Sequence, residues 1–128
     1  MRVLLDTHAF LWWNTDDVRL SDEAKAIIRD GRTEVLVSVA SIWEVATKVA
    51  KGRLTIPDEV GRYVAERLDR NHWSSLPIDV DHVVRAAGLP RIHLDPFDRM
   101  LVAQAQLEGV PILTKDAQLT RYEVETIW

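Results

Sequence analysis

The side chains of this sequence that could carry chemistry are carboxylates and hydroxyls, because the chain contains no cysteine. Without thiols it forms no disulfide, thiolate zinc site, iron–sulfur cluster or cysteine nucleophile. The acids of most interest lie beside apolar segments, where ordinary surface acids are uncommon. They are Asp6 after RVLL, Glu44 within SIWEVA, Asp95 and Asp98 within DPFD, and Asp116 after PILTK. Carboxylates in such positions suit either the capping of helices or the binding of a divalent cation.

Each of these acids has an ordinary structural explanation when it is taken alone. Asp6, Asp95 and Asp116 all precede predicted helices, so each is a candidate N-cap. The DPFD segment is a good helix start, because proline suits the first helical position and a second acid completes the first turn. Glu44 precedes Lys48 by four residues, which is the spacing of a helical ion pair.

Two arguments favour a joint role for these acids. Glu44 lies among apolar residues, where a carboxylate is costly unless a cation or a hydrogen-bond donor meets it. Several carboxylates at one site also repel each other, and a bound divalent cation removes that conflict. Because the chain has no cysteine and no paired-histidine motif, oxygen ligation by Mg²⁺ or Mn²⁺ is favoured over zinc.

The predicted elements alternate between strands and helices. Strands are expected at residues 2–5, 34–38, 75–78, 111–114 and 124–128. Helices are expected at 7–14, 21–30, from Ser38 or Ser41 to 51, 57–71, 79–87 and 97–108, with a turn or two of helix after Asp116. This alternation predicts an α/β domain with a central parallel sheet of four to five strands and helices on both faces. Ligands of such sheets bind beyond the carboxyl ends of the strands, so a central first strand would bring the acids to one edge.

Composition limits the class of protein further. A chain of 128 residues with 47% hydrophobic and 28% charged residues is typical of one globular domain. A net charge of −4 argues against a strongly basic protein that coats nucleic acid. The longest apolar run, Ala9–Trp13, is far shorter than the ~18 residues of a membrane span, and Asp6 and His8 interrupt any signal-peptide core. We therefore expect residues 1–128 to form one mature cytoplasmic domain without a membrane segment.

Four segments in order resemble a known family. They are LLDTHAFLWW near the start, S-x-x-S-x-W-E at 38–44, H-x-DPFDRMLVAQA at 93–105, and LTKD at 113–116. Together they resemble a PIN domain, and they are most similar to the toxin ribonuclease of VapBC-type toxin–antitoxin pairs. The resemblance runs from residue 3 to Trp128. It carries the acidic quartet of the family onto Asp6, Glu44, Asp98 and Asp116, with Asp95 as an auxiliary acid or only a helix cap, and it matches small hydroxyl positions at Thr7, Ser38 and Thr114.

The resemblance implies a metal-dependent endoribonuclease with Mg²⁺ or Mn²⁺ as cofactor. Asp6, Asp98 and Asp116 would then be direct or water-mediated ligands, and Glu44 would be a ligand or would orient the attacking water. It also implies an RNA substrate, a homodimer, and a small antitoxin that silences the toxin by wrapping a helical groove. The candidate groove comprises Ala9–Trp13 and the helices 40–50 and 57–71.

Several neighbouring residues have two interpretations. His8 and His93 lie near the predicted site, although a lone histidine is more often a packed or capping residue. Trp12, Trp13 and Trp43 suit base stacking, although tryptophans at helical spacing beside leucine and isoleucine are more often core or interface residues. The cations near the acids either bind phosphates or are solvated. They are Lys48, Lys51, Arg91, Arg99 and Lys115.

Two other functions fit parts of the sequence. Phosphotransferases of the haloacid dehalogenase or response-regulator type also place an aspartate after the first strand and a lysine late in the chain, as with Asp6 and Lys115. The first type needs a second aspartate where His8 stands, and the second needs an acidic pair beside the first strand. A non-catalytic binding module would keep the fold and the caps and bind no metal, but it gives no reason for Glu44 to stand between apolar residues.

Overall fold

The computed structural model describes all residues, 1–128, as an α/β fold built on one sheet of five parallel strands. The strands are β1 (Arg2–Leu5), β2 (Glu34–Ser38), β3 (Ser74–Leu76), β4 (Ile112–Leu113) and β5 (Thr126–Ile127). The helices are α1 (Thr7–Asn14), α2 (Asp22–Arg29), α3 (Val39–Ala50), α4 (Val60–Asn71), α5 (Val80–Gly88) and α6 (Pro96–Glu108), with a 3₁₀ turn at Leu119–Arg121. None of the helices combines the length and apolarity of a membrane span.

The strand order β3-β2-β1-β4-β5 makes β1 the central strand, which is the arrangement that would bring the acids to one edge. Leu5 of β1 pairs with Val37 of β2 on one side and with Leu113 of β4 on the other. Because the strands are parallel and in this register, the residues that follow these three positions lie side by side at the carboxyl edge. Asp6, Ser38 and Thr114 are therefore neighbours although they are far apart in sequence.

The helices cover both faces of the sheet, so the predicted fold class is confirmed. Side chains alternate along β1: Val3 and Leu5 face α1, α2 and α4, whereas Leu4 faces α5 and α6. Each face carries its own apolar cluster, so these strands are buried on both sides and consist of consecutive apolar residues in the sequence. Burial of each such aliphatic side chain stabilises the fold by ~1.5–3 kcal/mol, so the sheet that carries the carboxyl edge is stabilised from both faces.

Several element bounds differ from the sequence prediction. Helix α4 begins at Val60 rather than at Pro57, because the Glu59 carboxylate accepts the N–H groups of Gly61 and Arg62 and thereby caps a helix that starts three residues later than predicted. Gly31 does not end α2, whose C-cap is Asp30 in an extended conformation. Strands β4 and β5 are also shorter than predicted, with two residues each.

Candidate active site

Asp6 occupies the carboxyl end of the central strand and is almost fully buried, with 6% of its surface exposed. One carboxylate oxygen accepts the Ala9 N–H at 2.7 Å, which makes Asp6 the N-cap of α1. The other accepts the Thr114 hydroxyl at 2.6 Å. Burial raises the pKa of Asp6, and these two hydrogen bonds oppose the rise. The capping interpretation of Asp6 is correct, and its carboxylate still has lone pairs for a further ligand.

Thr114 joins Asp6 to Asp116. While its hydroxyl donates to Asp6, its oxygen accepts the backbone N–H of Asp116 at 3.0 Å. This pair of bonds fixes the turn after β4 and holds Asp116 at the same edge, where its negative charge contributes to the raised pKa of Asp6. The buried hydroxyl at Thr114 therefore has a definite role in linking two of the predicted acids.

Glu44 enters the site from the second turn of α3 and is buried, with 7% of its surface exposed. Its Oε1 accepts the Thr7 hydroxyl at 2.6 Å, and its Oε2 accepts the Lys48 ammonium at 2.7 Å. The predicted ion pair with Lys48 exists, but it is a half-buried contact at the edge of the site rather than a surface pair. Thr7 and Lys48 together supply the donor and the cation that a carboxylate in this apolar setting requires.

Asp98 lies in the first turn of α6, which Asp95 caps by accepting the N–H groups of Phe97 and Asp98. Burial raises the pKa of Asp98 to about 7, and the charges of Asp95, Glu44 and Asp116 add to this rise while His93 opposes it. Three other carboxylates therefore lie close enough to Asp98 to raise its pKa, which shows that several negative charges are concentrated at this edge of the sheet. Asp95 is thus a helix cap that also contributes to the charge at Asp98.

The structure brings the four predicted acids to one edge, with a compact group at the centre. Nε2 of His93 lies 3.1 Å from Oδ2 of Asp98 and 3.6 Å from Oδ2 of Asp116. One potential ligand atom from each of these three residues lies within 4.8 Å of the others. Asp6 adjoins the group through Thr114, and Glu44 adjoins it closely enough to raise the pKa of Asp98.

The sequence placed His93 near the site but favoured a packed or capping role for it, and the structure instead sets its ring against the acids. It lies in the loop before α6 and points its ring at the acids, whereas His8 lies on the exposed side of α1 and stacks on Trp12 at 5.2 Å. The available signal was the H-x-DPFD spacing, which places a histidine just before the helix that carries Asp98.

The predicted cations differ in whether their side chains already have hydrogen-bond or ion-pair partners within the protein. Arg99 donates to four backbone carbonyls, those of Ala86, Leu89, Pro90 and His93, so it holds a loop rather than a phosphate. Lys48 is engaged by Glu44. The side chains of Lys51, Arg91 and Lys115 are exposed and make no ion pair or hydrogen bond, which leaves them available to an anionic ligand.

The tryptophans also separate into two groups. Trp12 and Trp13 are half-buried: Trp12 packs against Trp128 with a centroid distance of 5.7 Å, and Trp13 packs against Trp73 at 6.2 Å. Trp43, the neighbour of Glu44, is 61% exposed and meets Phe97 edge-on at 5.0 Å. The core or interface interpretation therefore suits the first two, while Trp43 presents an aromatic surface beside the acids.

The donor set fits a divalent cation. The acids supply oxygen ligands. Burial raises the pKa of Asp98 most, and the charges of the neighbouring acids add to the rise through a repulsion that a cation would relieve.

Fold and site together define a class of protein, the α/β domains that gather acids at the carboxyl edge of a parallel sheet. The comparison with protein families names the particular one: residues 3–125 match the PIN domain, and the chain belongs to that family. The resemblance inferred from the four sequence motifs is thereby confirmed.

Named relatives agree with this assignment. The chain is 36% identical over 77 residues to Ribonuclease VapC16 of Mycobacterium tuberculosis, a match that spans 59% of this chain and 55% of that protein. It is 28% identical over 130 residues to Ribonuclease VapC22 of the same organism, with 98% of both chains covered. A chain in the crystal structure of VapBC2 from Rickettsia felis, bound to a DNA fragment from their promoter, shares the fold with a TM-score of 0.74. That match has 12% identity and covers 100% of this chain and 99% of the other.

Proposed function

We propose that this protein is a metal-dependent endoribonuclease that uses Mg²⁺ or Mn²⁺ and acts as a growth-inhibiting toxin in the cytoplasm, neutralised by a cognate antitoxin. Residues 1–128 form its PIN domain in this proposal. The observation that carries it is the convergence of Asp6, Glu44, Asp98 and Asp116 at one edge of the sheet. Two relatives named as ribonucleases support the same activity.

In the proposed mechanism, Asp6, Asp98 and Asp116 would hold the cation, and Glu44 would either join them or orient the attacking water. The chemistry that a divalent cation would supply there is activation of water and neutralisation of charge on the phosphoryl and leaving oxygens. Thr114 keeps the Asp6 carboxylate in a fixed orientation, and Thr7 with Lys48 does the same for Glu44. This hydrogen bonding prepares the carboxylates before substrate arrives, so little reorganisation accompanies hydrolysis of the phosphodiester bond.

RNA binding requires local positive charge even though the protein carries a net charge of −4. The free cations Lys51, Arg91 and Lys115 are our candidates for phosphate contacts. The exposed ring of Trp43 beside Glu44 is suited to stack on a base of single-stranded RNA, a contact worth ~1–3 kcal/mol per base.

The antitoxin is proposed to bind a groove of about 480 Å³ between α1, α3, α4 and the segment before α4. Leu11, Trp12, Ile56 and Tyr63 supply its apolar lining, and Lys48 links it to the acidic site. These positions fall in or beside the groove expected from the sequence, Ala9–Trp13 with the helices 40–50 and 57–71. A partner segment that fills the groove with apolar side chains would reach the ion pair of Glu44 and Lys48.

We also propose that the protein is a homodimer that pairs through α5. Val80, Val83 and Val84 are 76%, 50% and 67% exposed and form one stripe on the helix with Ala87. Asp81 and Arg85 lie together along one side of this stripe. A two-fold axis that sets two α5 helices antiparallel would bring Asp81 of one copy to Arg85 of the other, which is the self-complementarity that such a dimer requires.

The nuclease is tested with a mixed single-stranded RNA in Mg²⁺, in Mn²⁺ and in EDTA. We expect cleavage that chelation abolishes, and that Asp6→Asn and Asp98→Asn each reduce by about 100-fold or more, the scale lost when a preorganised electrostatic group is removed. Asp69→Asn on the exposed surface of α4 is the matched control and should cleave normally. Cleavage that survives both chelation and substitution would refute a metal nuclease. A protein that binds no metal and cleaves no RNA would instead favour the non-catalytic binding module.

The toxin role is tested separately by expression in a host cell. Expression of the wild-type chain should arrest growth, whereas Asp98→Asn should not, and co-expression with the product of a neighbouring short reading frame should relieve the arrest. Harmless expression of a protein that cleaves RNA when purified would contradict the toxin role but leave the nuclease in place.

A further inference from the structure

The loop from Leu89 to Leu94 contains no helix or strand, yet side chains hold it from two directions. The Arg99 guanidinium donates to four carbonyls at the end of α5 and in this loop, including that of His93 at 3.2 Å. From the other side, the buried Tyr122 hydroxyl accepts the His93 N–H at 2.8 Å. The backbone of His93 is therefore fixed relative to α6, the helix that carries Asp98.

The ring of His93 has a defined hydrogen-bonding pattern. Its Nδ1 accepts the backbone N–H of Asp95 at 3.2 Å, and its Nε2 faces Oδ2 of Asp98 at 3.1 Å. A neutral imidazole has one donor and one acceptor nitrogen, and the other ring contact of a histidine decides which is which. Because Nδ1 is the acceptor, the ring proton is on Nε2, and His93 donates to Asp98.

From this geometry we propose that His93 is a positioning residue that orients the Asp98 carboxylate by donation from Nε2, and that it is not itself a metal ligand. The inference rests on the proposed metal site. A nitrogen that binds a metal needs a free lone pair. Nε2 has a free lone pair only in the tautomer that carries its proton on Nδ1, and in that tautomer the Nδ1 proton would point at the N–H of Asp95. Asp95 thus fixes the tautomer and also caps α6, so one residue aligns both His93 and Asp98.

Donors of this kind keep ligand carboxylates in place, and their loss typically weakens metal affinity by about 10–100-fold. Gln can donate from its amide at nearly the position of Nε2, whereas Phe keeps the ring volume without a donor. We therefore expect His93→Phe to weaken Mn²⁺ binding, measured by titration calorimetry, by about 10-fold or more, and His93→Gln to stay within about threefold of the wild type.

The second readout uses no variant and no metal. In the metal-free protein at a pH where the ring is neutral, we expect the nitrogen-15 shifts of His93 to show a protonated Nε2 and an unprotonated Nδ1. This signature tests the tautomer even if His93→Phe does not fold. If the ring had only a packing role, the nitrogen-15 shifts could show either tautomer, and Gln would not substitute for His93.

Three results would overturn the inference: an unprotonated Nε2, wild-type Mn²⁺ affinity in His93→Phe, or equal losses in His93→Gln and His93→Phe. Each leaves the proposed nuclease standing as long as the wild-type protein binds Mn²⁺. A wild-type protein that binds no Mn²⁺ would instead contradict the metal site itself, and the role of His93 toward it would fall as well.

Discussion

Replacement of Asp98 by Asn should stabilise the metal-free protein while it destroys the function proposed for the site. Asp98 is a mostly buried carboxyl surrounded by other acids, and its pKa is raised from 3.8 to about 7. Its ionised form is therefore disfavoured by the fold. Asparagine has nearly the same shape and can still donate or accept hydrogen bonds, but it carries no charge to repel its neighbours.

The magnitude follows from the pKa. Each unit of pKa is worth ~1.36 kcal/mol, so a rise of about three units sets a ceiling of ~4 kcal/mol at pH 8. Because 23% of the side chain is exposed, solvent screening lowers this value, and we expect a gain of ~1–3 kcal/mol in the free energy of unfolding.

The sign of the pH dependence is fixed as well. Below pH 3.8 the carboxyl is protonated in both folded and unfolded chains, so wild type and Asp98→Asn should differ little there. Between pH 3.8 and about 7 the unfolded chain ionises more readily than the folded one. The wild type therefore loses stability relative to the variant across this interval, and the difference is complete above pH 7.

The assay is urea unfolding in EDTA at several pH values, with Asp69→Asn as the charge-matched control. Added Mg²⁺ should stabilise the wild type and leave Asp98→Asn unchanged, because only the wild type keeps the ligand. A variant that is less stable than the wild type at pH 8, or a difference that does not change with pH, would refute the electrostatic reasoning.

The remaining predictions concern the hydrogen bonds and surfaces around the site. Thr114→Val removes the hydroxyl that donates to Asp6 at 2.6 Å, and it should lower the free energy of unfolding by ~1.5–3 kcal/mol, measured by denaturation. It should also weaken Mn²⁺ binding, measured by calorimetry, and an unchanged affinity would show that the hydroxyl is not needed to orient Asp6. Lys48→Met leaves Glu44 without its cation and should lower cleavage of RNA without loss of the fold, as checked by circular dichroism; undiminished cleavage would contradict the role of the pair. Val84→Glu charges the exposed stripe of α5 and should give a monomer by light scattering, and a variant that remains dimeric would exclude this surface.

The sheet and its carboxyl edge were predictable from sequence because buried parallel strands appear as short apolar runs that end in polar residues. That pattern predicted the position of Asp6 and of Thr114, whereas the central place of β1 depends on how the strands pair and is seen only in the structure. Helix starts with a strong cap, such as the one at Asp95, were also predicted to within a residue. The start of α4 was not, because both Pro57 and Glu59 are plausible and only the contacts of Glu59 decide between them.

The loop before α6 shows where sequence reasoning stops. Nothing local indicates that Arg99 donates to four carbonyls rather than to a phosphate, since that choice depends on how α5 ends beside α6. The orientation of His93 depends in turn on Tyr122, which is 29 residues away in sequence. Such contacts join segments that carry no common pattern, so tertiary structure is needed to reveal them.

The central claim is that the acids at this edge of the sheet hold a divalent cation. Its most direct test is the anomalous diffraction of Mn²⁺ in crystals of the wild-type protein. We predict a peak bounded by the carboxylates of Asp6, Asp98 and Asp116, and no peak there in Asp98→Asn. A wild-type crystal at saturating Mn²⁺ with no peak among these carboxylates would contradict it.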